Sequence, residues 1–280
     1  MNRNKFPVSI ASYSFHGLLA AGETNVFTYL EDLKFRYDVR FADIWSGFLP
    51  NLDGDFIKKI RASMDEKGIT LANLCVDGPH LWVDDDIQRE NHYKKALDYI
   101  EAAKILGART IRIDMGSMEE DVPDEKLDYI IKTYREYAEL CAPEGIRIGT
   151  ENHWGSSRYP KNLEKLYSGV NHKNYGHLFH FGNFAEGLID EGLETVLKMA
   201  IHTHVPANSI PFAKEYLRRL INADYAGTFS IEHHSSKNEY LRVEWQLATV
   251  RGLLGELEAE GYDKPAVSDF YSDVYKGNIK

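Results

Sequence analysis

Residues 147–154 read RIGTENHW, residues 176–184 GHLFHFGNF, residues 201–207 IHTHVPA and residues 228–234 TFSIEHH. Each is a strand-length run of β-branched and aromatic residues that carries imidazole or carboxylate side chains toward its end. Four more runs lie upstream: VSIASYSF from Val8, RFADIW from Arg40, TLANLCV from Thr70 and TIRIDMG from Thr110. Successive starting points differ by 32, 30, 40, 37, 29, 25 and 27 residues, the length of a strand, a loop and a helix repeated.

The segments between them have helical spacing. Over 53–67, Phe56, Ile57, Ile60 and Met64 share one stripe, and Gly68 stands where a C-cap glycine belongs. Over 93–106, Ala96, Leu97, Ile100, Ala103 and Leu106 recur at helical intervals and stop at Gly107. Pro123 opens a helix reaching about Cys141, residues 159–169 make a shorter one, and 212–221 and 240–257 are amphipathic. The first strand–helix junction, SYSFHGLLAAGET, has no glycine-rich nucleotide turn, which argues against a doubly wound sheet. The expected fold is therefore α/β, a single (β/α)8 TIM barrel over residues 1–262. Residues 263–280, with Phe270, Tyr271, Val274 and Tyr275, read as an extension that packs on the barrel or on a partner.

Composition narrows the function. The 280 residues carry 33 Lys and Arg against 43 Asp and Glu, a net charge of -10 that is a poor match for a phosphate backbone. No apolar run approaches a membrane span, and the N-terminus lacks a signal-peptide h-region. Cys75 and Cys141 are too few for a disulfide framework. These features describe a cytoplasmic enzyme that engages neither nucleic acid nor membrane.

Strand ends on the C-terminal side of such a barrel face one cavity, where chemistry is placed. Alternation gives Glu151 the direction of His153, His202 that of His204, and Glu232 that of His234. One residue per strand yields Glu151, His180, His204 and Glu232, spaced by 29, 24 and 28 residues. A single inward His or Glu reads equally well as a satisfied core group. Four in register do not, because burying two carboxylates together without a cation costs several kcal/mol. The expected cofactor is one divalent ion, Mn²⁺ first, with Co²⁺, Fe²⁺ or Zn²⁺ as alternatives; Mg²⁺ prefers an all-oxygen shell. His153, His202 and His234 stand close enough to orient ligands or carry protons. Trp45, Trp82 and Trp154 follow strands on the same rim and offer flat faces to a sugar or aromatic group, or simply cap the barrel. His80 is a further rim candidate, Asp114 can hold a ligand or substrate hydroxyl, and Arg112 reads as the partner of a carboxylate inside.

Nearly the whole barrel, and most specifically its second half, resembles the xylose isomerase-like TIM-barrel superfamily of sugar isomerases and epimerases. Glu151, Asn152 and His153 match its fifth-strand Glu-Asn-His, His202 and His204 its seventh-strand His-x-His, and Ile231 and Glu232 its eighth-strand ligand. The sixth strand departs from the family's Asp-x-Gly-Asn/His: His180, Phe181, Gly182 and Asn183 place His where Asp is usual. The resemblance implies proton removal next to a sugar carbonyl through a metal-stabilised enediolate, with Glu151 and Glu232 moving the proton, and Asn183 and His202 near the substrate. It also implies an alternative, a lyase cleaving 3-oxo-glycosides, including C-glycosides, by β-elimination with a small β-rich partner subunit; His153 or His234 would then be the better base. Two further readings are a repair nuclease, which needs a basic groove, and a degenerate binding barrel. A homo-oligomer is also open.

Overall fold

Eight parallel strands close in chain order, with the last pairing back to the first. They are β1 (Val8–Ala11), β2 (Phe41–Trp45), β3 (Thr70–Val76), β4 (Thr110–Ile113), β5 (Arg147–Glu151), β6 (Tyr175–His180), β7 (Ala200–Pro206) and β8 (Phe229–Glu232). The computed structural model describes residues 6–262, so the expected 263–280 extension lies outside them. The eight runs read from the sequence coincide with these strands. Around them pack α1 (His16–Ala20), α2 (Val26–Glu31), α3 (Gly54–Lys67), α4 (Asp86–Leu106), α5 (Asp124–Cys141), α6 (Pro160–Val170), α7 (Ile189–Leu197), α8 (Ile210–Asn222) and α9 (Glu239–Ala259).

Helix boundaries follow local chemistry. Gly68 and Gly107 end α3 and α4 in the left-handed conformation, at φ of 63° and 67°. The helix expected from residue 93 begins at Asp86 instead, because the Asp85 carboxylate accepts the Gln88 N–H at 2.8 Å. Its first turns lie in solvent, with Ile87 75% exposed, and so carry no apolar stripe to read. The helices α1, α2 and α7 were not anticipated; α2 starts from a capping box between Asn25 and Thr28.

Strand alternation sorts the core into two unlike layers. Ile10, Ile44, Leu74, Ile111, Ile148, Val205 and Ile231 belong to the buried apolar cluster under the helices. The inward positions Ser9, Asp43, Asn73, Thr110, His202 and Ser230 are polar and sealed from solvent, where this fold ordinarily stacks branched aliphatics. They survive burial by bonding to one another: Thr110 Oγ1 donates to Asn73 Oδ1 and Asn73 Nδ2 to Asp43 Oδ1, both at 2.9 Å. A Cβ on Gly149 would stand 1.9 Å from the Gly176 carbonyl, so glycine is required where β5 meets β6, the two strands that end in Glu151 and His180.

Candidate metal centre and active site

The register sets Glu151 beside Leu178, His180 beside His204, and Pro206 beside Glu232, so four consecutive strands deliver side chains to one point. Glu151 Oε1 lies 2.9 Å from both His180 Nδ1 and His204 Nδ1. Glu232 Oε2 lies 3.6 Å from His180 Nδ1 and 3.5 Å from His204 Nδ1. The four atoms thus form a closed ring. Bonds of about 2.1 Å to a first-row divalent ion separate donors by about 3.0–3.5 Å, so the ring fits such an ion. All four residues are buried.

Positive charge surrounds the carboxylates. Burial alone would push Glu151 up, but His204 and Arg112 beside it hold its carboxyl well below the usual range. Glu232 is opposed by burial in the same way and is drawn down to about 2 by His204 and by its hydrogen bond to His234. His204 rises well above the ordinary imidazole value: burial works against its charge, and Glu232, Glu151 and Asp43 outweigh burial. A buried cluster that keeps its carboxylates ionised is consistent with a divalent-cation site.

Arg112 braces the β4 side. Its Nε lies 3.1 Å from Glu151 Oε2, and its NH1 donates to Asp77 Oδ1 at 2.7 Å and Asp114 Oδ2 at 3.0 Å. Asp114 Oδ2 also meets His153 Nδ1 and accepts from Trp154 Nε1, each at 3.0 Å. His153 reaches about 9, since the hydrogen bond to Asp114 and the charge of Glu151 overcome its burial. On the β8 side His234 Nε2 stands 3.0 Å from Glu232 Oε2.

Above the ring opens a cavity of about 660 Å³, lined in part by Glu232, His180, His153, His234, Asn183 and Trp45. Several expected substrate contacts fall elsewhere. His202 lies a layer deeper and fully enclosed, bound to Asp43 Oδ2 at 2.7 Å, because two residues along a strand is one step down the barrel wall. Trp82 does not line the cavity: Arg89 lies 4.4 Å and Lys126 5.4 Å from its ring centroid, and its Nε1 donates to Asp84. His80 and Trp154 pack edge to face at 4.7 Å and are not among the cavity-lining residues; Trp154 donates to Asp114, which also meets His153 on the cavity wall. Asn183 Nδ2 donates to the carbonyls of Asn152 and His153 at 2.8 Å, tying the β5 end to the β6 end.

Sequence reading missed Tyr13, Asp77, Phe181, Ile189 and Phe212 on the cavity wall and Asp43 below it. Tyr13 stacks on His16 one turn away at 4.7 Å and meets Trp45 edge-on at 5.0 Å, the latter a contact between separate loops with no spacing signature. Asp43 did carry a signal: an acidic residue two before Trp45 shares its inward direction.

Among the described residues, no helix is long and apolar enough to cross a membrane. No curated protein matches the chain in sequence. In fold it is similar to 3-keto-D-glucoside 4-epimerase from E. coli (TM-score 0.71, 15% identity, 88% of this chain and 99% of that one). It is also similar to D-psicose 3-epimerase from Clostridium cellulolyticum H10, solved with D-tagatose (0.69, 16%, 91% and 99%). A third likeness is a xylose isomerase-like TIM barrel protein from Mycobacterium smegmatis in complex with magnesium (0.67, 14%, 89% and 98%). These identities speak to the fold alone. The family model for the xylose isomerase-like TIM barrel matches residues 27–265, most of the chain, and with the closed barrel and buried His/Glu/Asp clusters already described, this protein belongs to that family.

Proposed function

We propose that this barrel is a divalent-metal-dependent sugar isomerase or epimerase that removes a proton from the carbon beside a sugar carbonyl. The ring of two imidazole nitrogens and two carboxylate oxygens at the floor of a polar cavity carries the reading. Glu151, His180, His204 and Glu232 would hold the ion. Their mixed donors suit Mn²⁺ first and Co²⁺, Fe²⁺ or Zn²⁺ next; Mg²⁺, the ion of the mycobacterial relative, suits imidazole less well. Bound there, the ion would act as a Lewis acid toward the carbonyl and a neighbouring hydroxyl of the sugar.

The chain's own groups supply the rest. Glu151 has one oxygen between two imidazoles and the other beside Arg112, so it serves as a ligand. Glu232 reaches the cavity and, with His234 at 3.0 Å, forms a proton acceptor with a relay behind it. His153, held by Asp114, brings a second proton carrier from the β5 side, which suits return of the proton to another face or carbon. Trp45 and Tyr13 offer aromatic faces to the sugar's C–H groups. Two buried, unpaired cysteines support a cytoplasmic location. Incubation with ketoses in deuterated water and Mn²⁺ should exchange the α-proton; no exchange with any ketose or 3-oxo-sugar rejects the proposal.

One observation favours a second reading, β-elimination from 3-oxo-glycosides, including C-glycosides, with a small β-rich partner subunit. Phe181, Ile189 and Phe212 line one side of the cavity, and Ile189 and Phe212 are 40% and 39% exposed, a wall suited to an apolar aglycone. Release of free aglycone would separate this reading from the first.

A further inference from the structure

Asp43 sits in the middle of the barrel, fully enclosed, one layer beneath the metal ligands, and the chemistry above makes no use of it. Its Oδ2 lies 2.7 Å from His202 Nε2, 3.0 Å from His204 Nε2 and 2.8 Å from Ser230 Oγ. Its Oδ1 accepts from Asn73 Nδ2 at 2.9 Å, and its backbone N–H donates to the Tyr29 hydroxyl at 3.0 Å. An ionised carboxylate only accepts, so both Nε2 atoms carry hydrogen. A neutral imidazole has one N–H, which leaves the His204 lone pair on Nδ1. That Nδ1 points between Glu151 Oε1 at 2.9 Å and Glu232 Oε2 at 3.5 Å, a place that only a cation relieves: a second proton on His204, or a metal ion that displaces it.

We propose that Asp43 is a positioning residue that fixes His204 as the Nε2–H tautomer and so reserves Nδ1 for the metal. The proposal rests on the reading of Glu151, His180, His204 and Glu232 as a metal centre. His202 completes the device from the side: with its Nε2 committed to Asp43, its Nδ1 lies 3.3 Å from Thr228 Oγ1, and Thr228 Oγ1 lies 2.8 Å from Ser9 Oγ. The polar interior of the barrel thereby becomes a scaffold that holds one carboxylate still. Asparagine would not test this, because the Asn73 amide can turn to meet a new N–H₂, with Thr110 Oγ1 accepting from it and donating to the Ala72 carbonyl, and so leave an oxygen on both histidines. Leucine, of similar size, offers no acceptor at all. His204 then gains by moving its proton from Nε2 to Nδ1, where Glu151 accepts it, which takes the lone pair from the ion.

The test compares Mn²⁺ dissociation constants of full-length, chelator-stripped wild type and Asp43→Leu, alongside their metal-free melting temperatures. The expected result is Mn²⁺ binding weakened about 10–100-fold in the folded variant. An affinity within twofold of wild type overturns the proposal, whatever happens to the melting temperature, because a purely structural role would alter only the latter. Should the variant not fold, ¹⁵N-histidine spectra of Zn²⁺-loaded wild type decide: a proton on His204 Nε2 supports the proposal and one on Nδ1 overturns it. Wild type that binds neither ion sinks the metal centre itself and Asp43's role with it, an outcome distinct from equal affinities.

Discussion

The two halves of this barrel do different work with similar residues. β5 to β8 contribute the four donors of the ring, each at or near a strand end and each one unit from the next. β1 to β4 contribute no ring atom; they supply Asp43, Asn73, Arg112 and the loop residues Tyr13, Asp77 and Asp114, which hold the donors or shape the cavity. A metal centre needs both, because donors that converge on one point repel until charge and hydrogen bonds from behind fix them.

The largest expected break in this division of labour is Glu232→Gln, which removes the proposed cavity-facing proton acceptor and a ring oxygen together. Solvent exchange into a turned-over ketose should fall by about 10²–10⁴; exchange rates near wild type would move the proton chemistry away from the ligand half. Next is Arg112→Leu in the supporting half. It leaves Glu151 and Asp114 buried beside an uncharged neighbour, so urea unfolding of the metal-free protein should lose about 3–5 kcal/mol. An unchanged midpoint would mean that the brace is ornamental.

A third prediction contrasts two histidines of one strand. His180 faces the ring, whereas His177 lies on the other side of β6, with Nε2 3.4 Å from Asn152 Oδ1, and burial lowers it to about 3. The unfolded chain therefore takes up a proton near pH 6.5 that the folded chain refuses until about pH 3. His177 contributes stability that is complete above pH 6.5 and is lost as the pH falls through that window, at about 1.4 kcal/mol per unit. Unfolding midpoints measured from pH 7 to pH 4 should show a shallower decline in His177→Gln by that slope. The smallest effect separates the tryptophans. Trp45→Leu should raise KM by about 2–10-fold through loss of an aromatic face, while Trp82→Leu, outside the cavity, should leave kcat/KM within about twofold.

How far the sequence could be read tracks the same two halves. Glu151, His180, His204 and Glu232 were legible because one strand–helix unit separates each from the next and each stands near the end of a strand-like run. Alternation gave the direction of Asp43 but not its partner or that of Asp77, since those lie 161 residues away at His204 and 35 away at Arg112, and no local period links them. His202 and Trp82 show the opposite error: their positions near strand ends suggested the cavity, but one side chain points a layer too deep and the other is held aside by Arg89 and Lys126.

The sequence by itself determined the eight strands, their order, the longer helices that bury an apolar stripe, and the four residues whose spacing brings them together. These are properties of periodicity, set by alternation along a strand and by the length of each repeat. The tertiary structure alone decided which wall of the cavity is apolar, which carboxylate braces which ligand, and that the barrel is filled with a hydrogen-bonded polar layer. Those depend on closure of the sheet: when β8 pairs with β1, side chains distant in the chain are forced into contact away from water, and each buried polar atom must find its partner across the barrel.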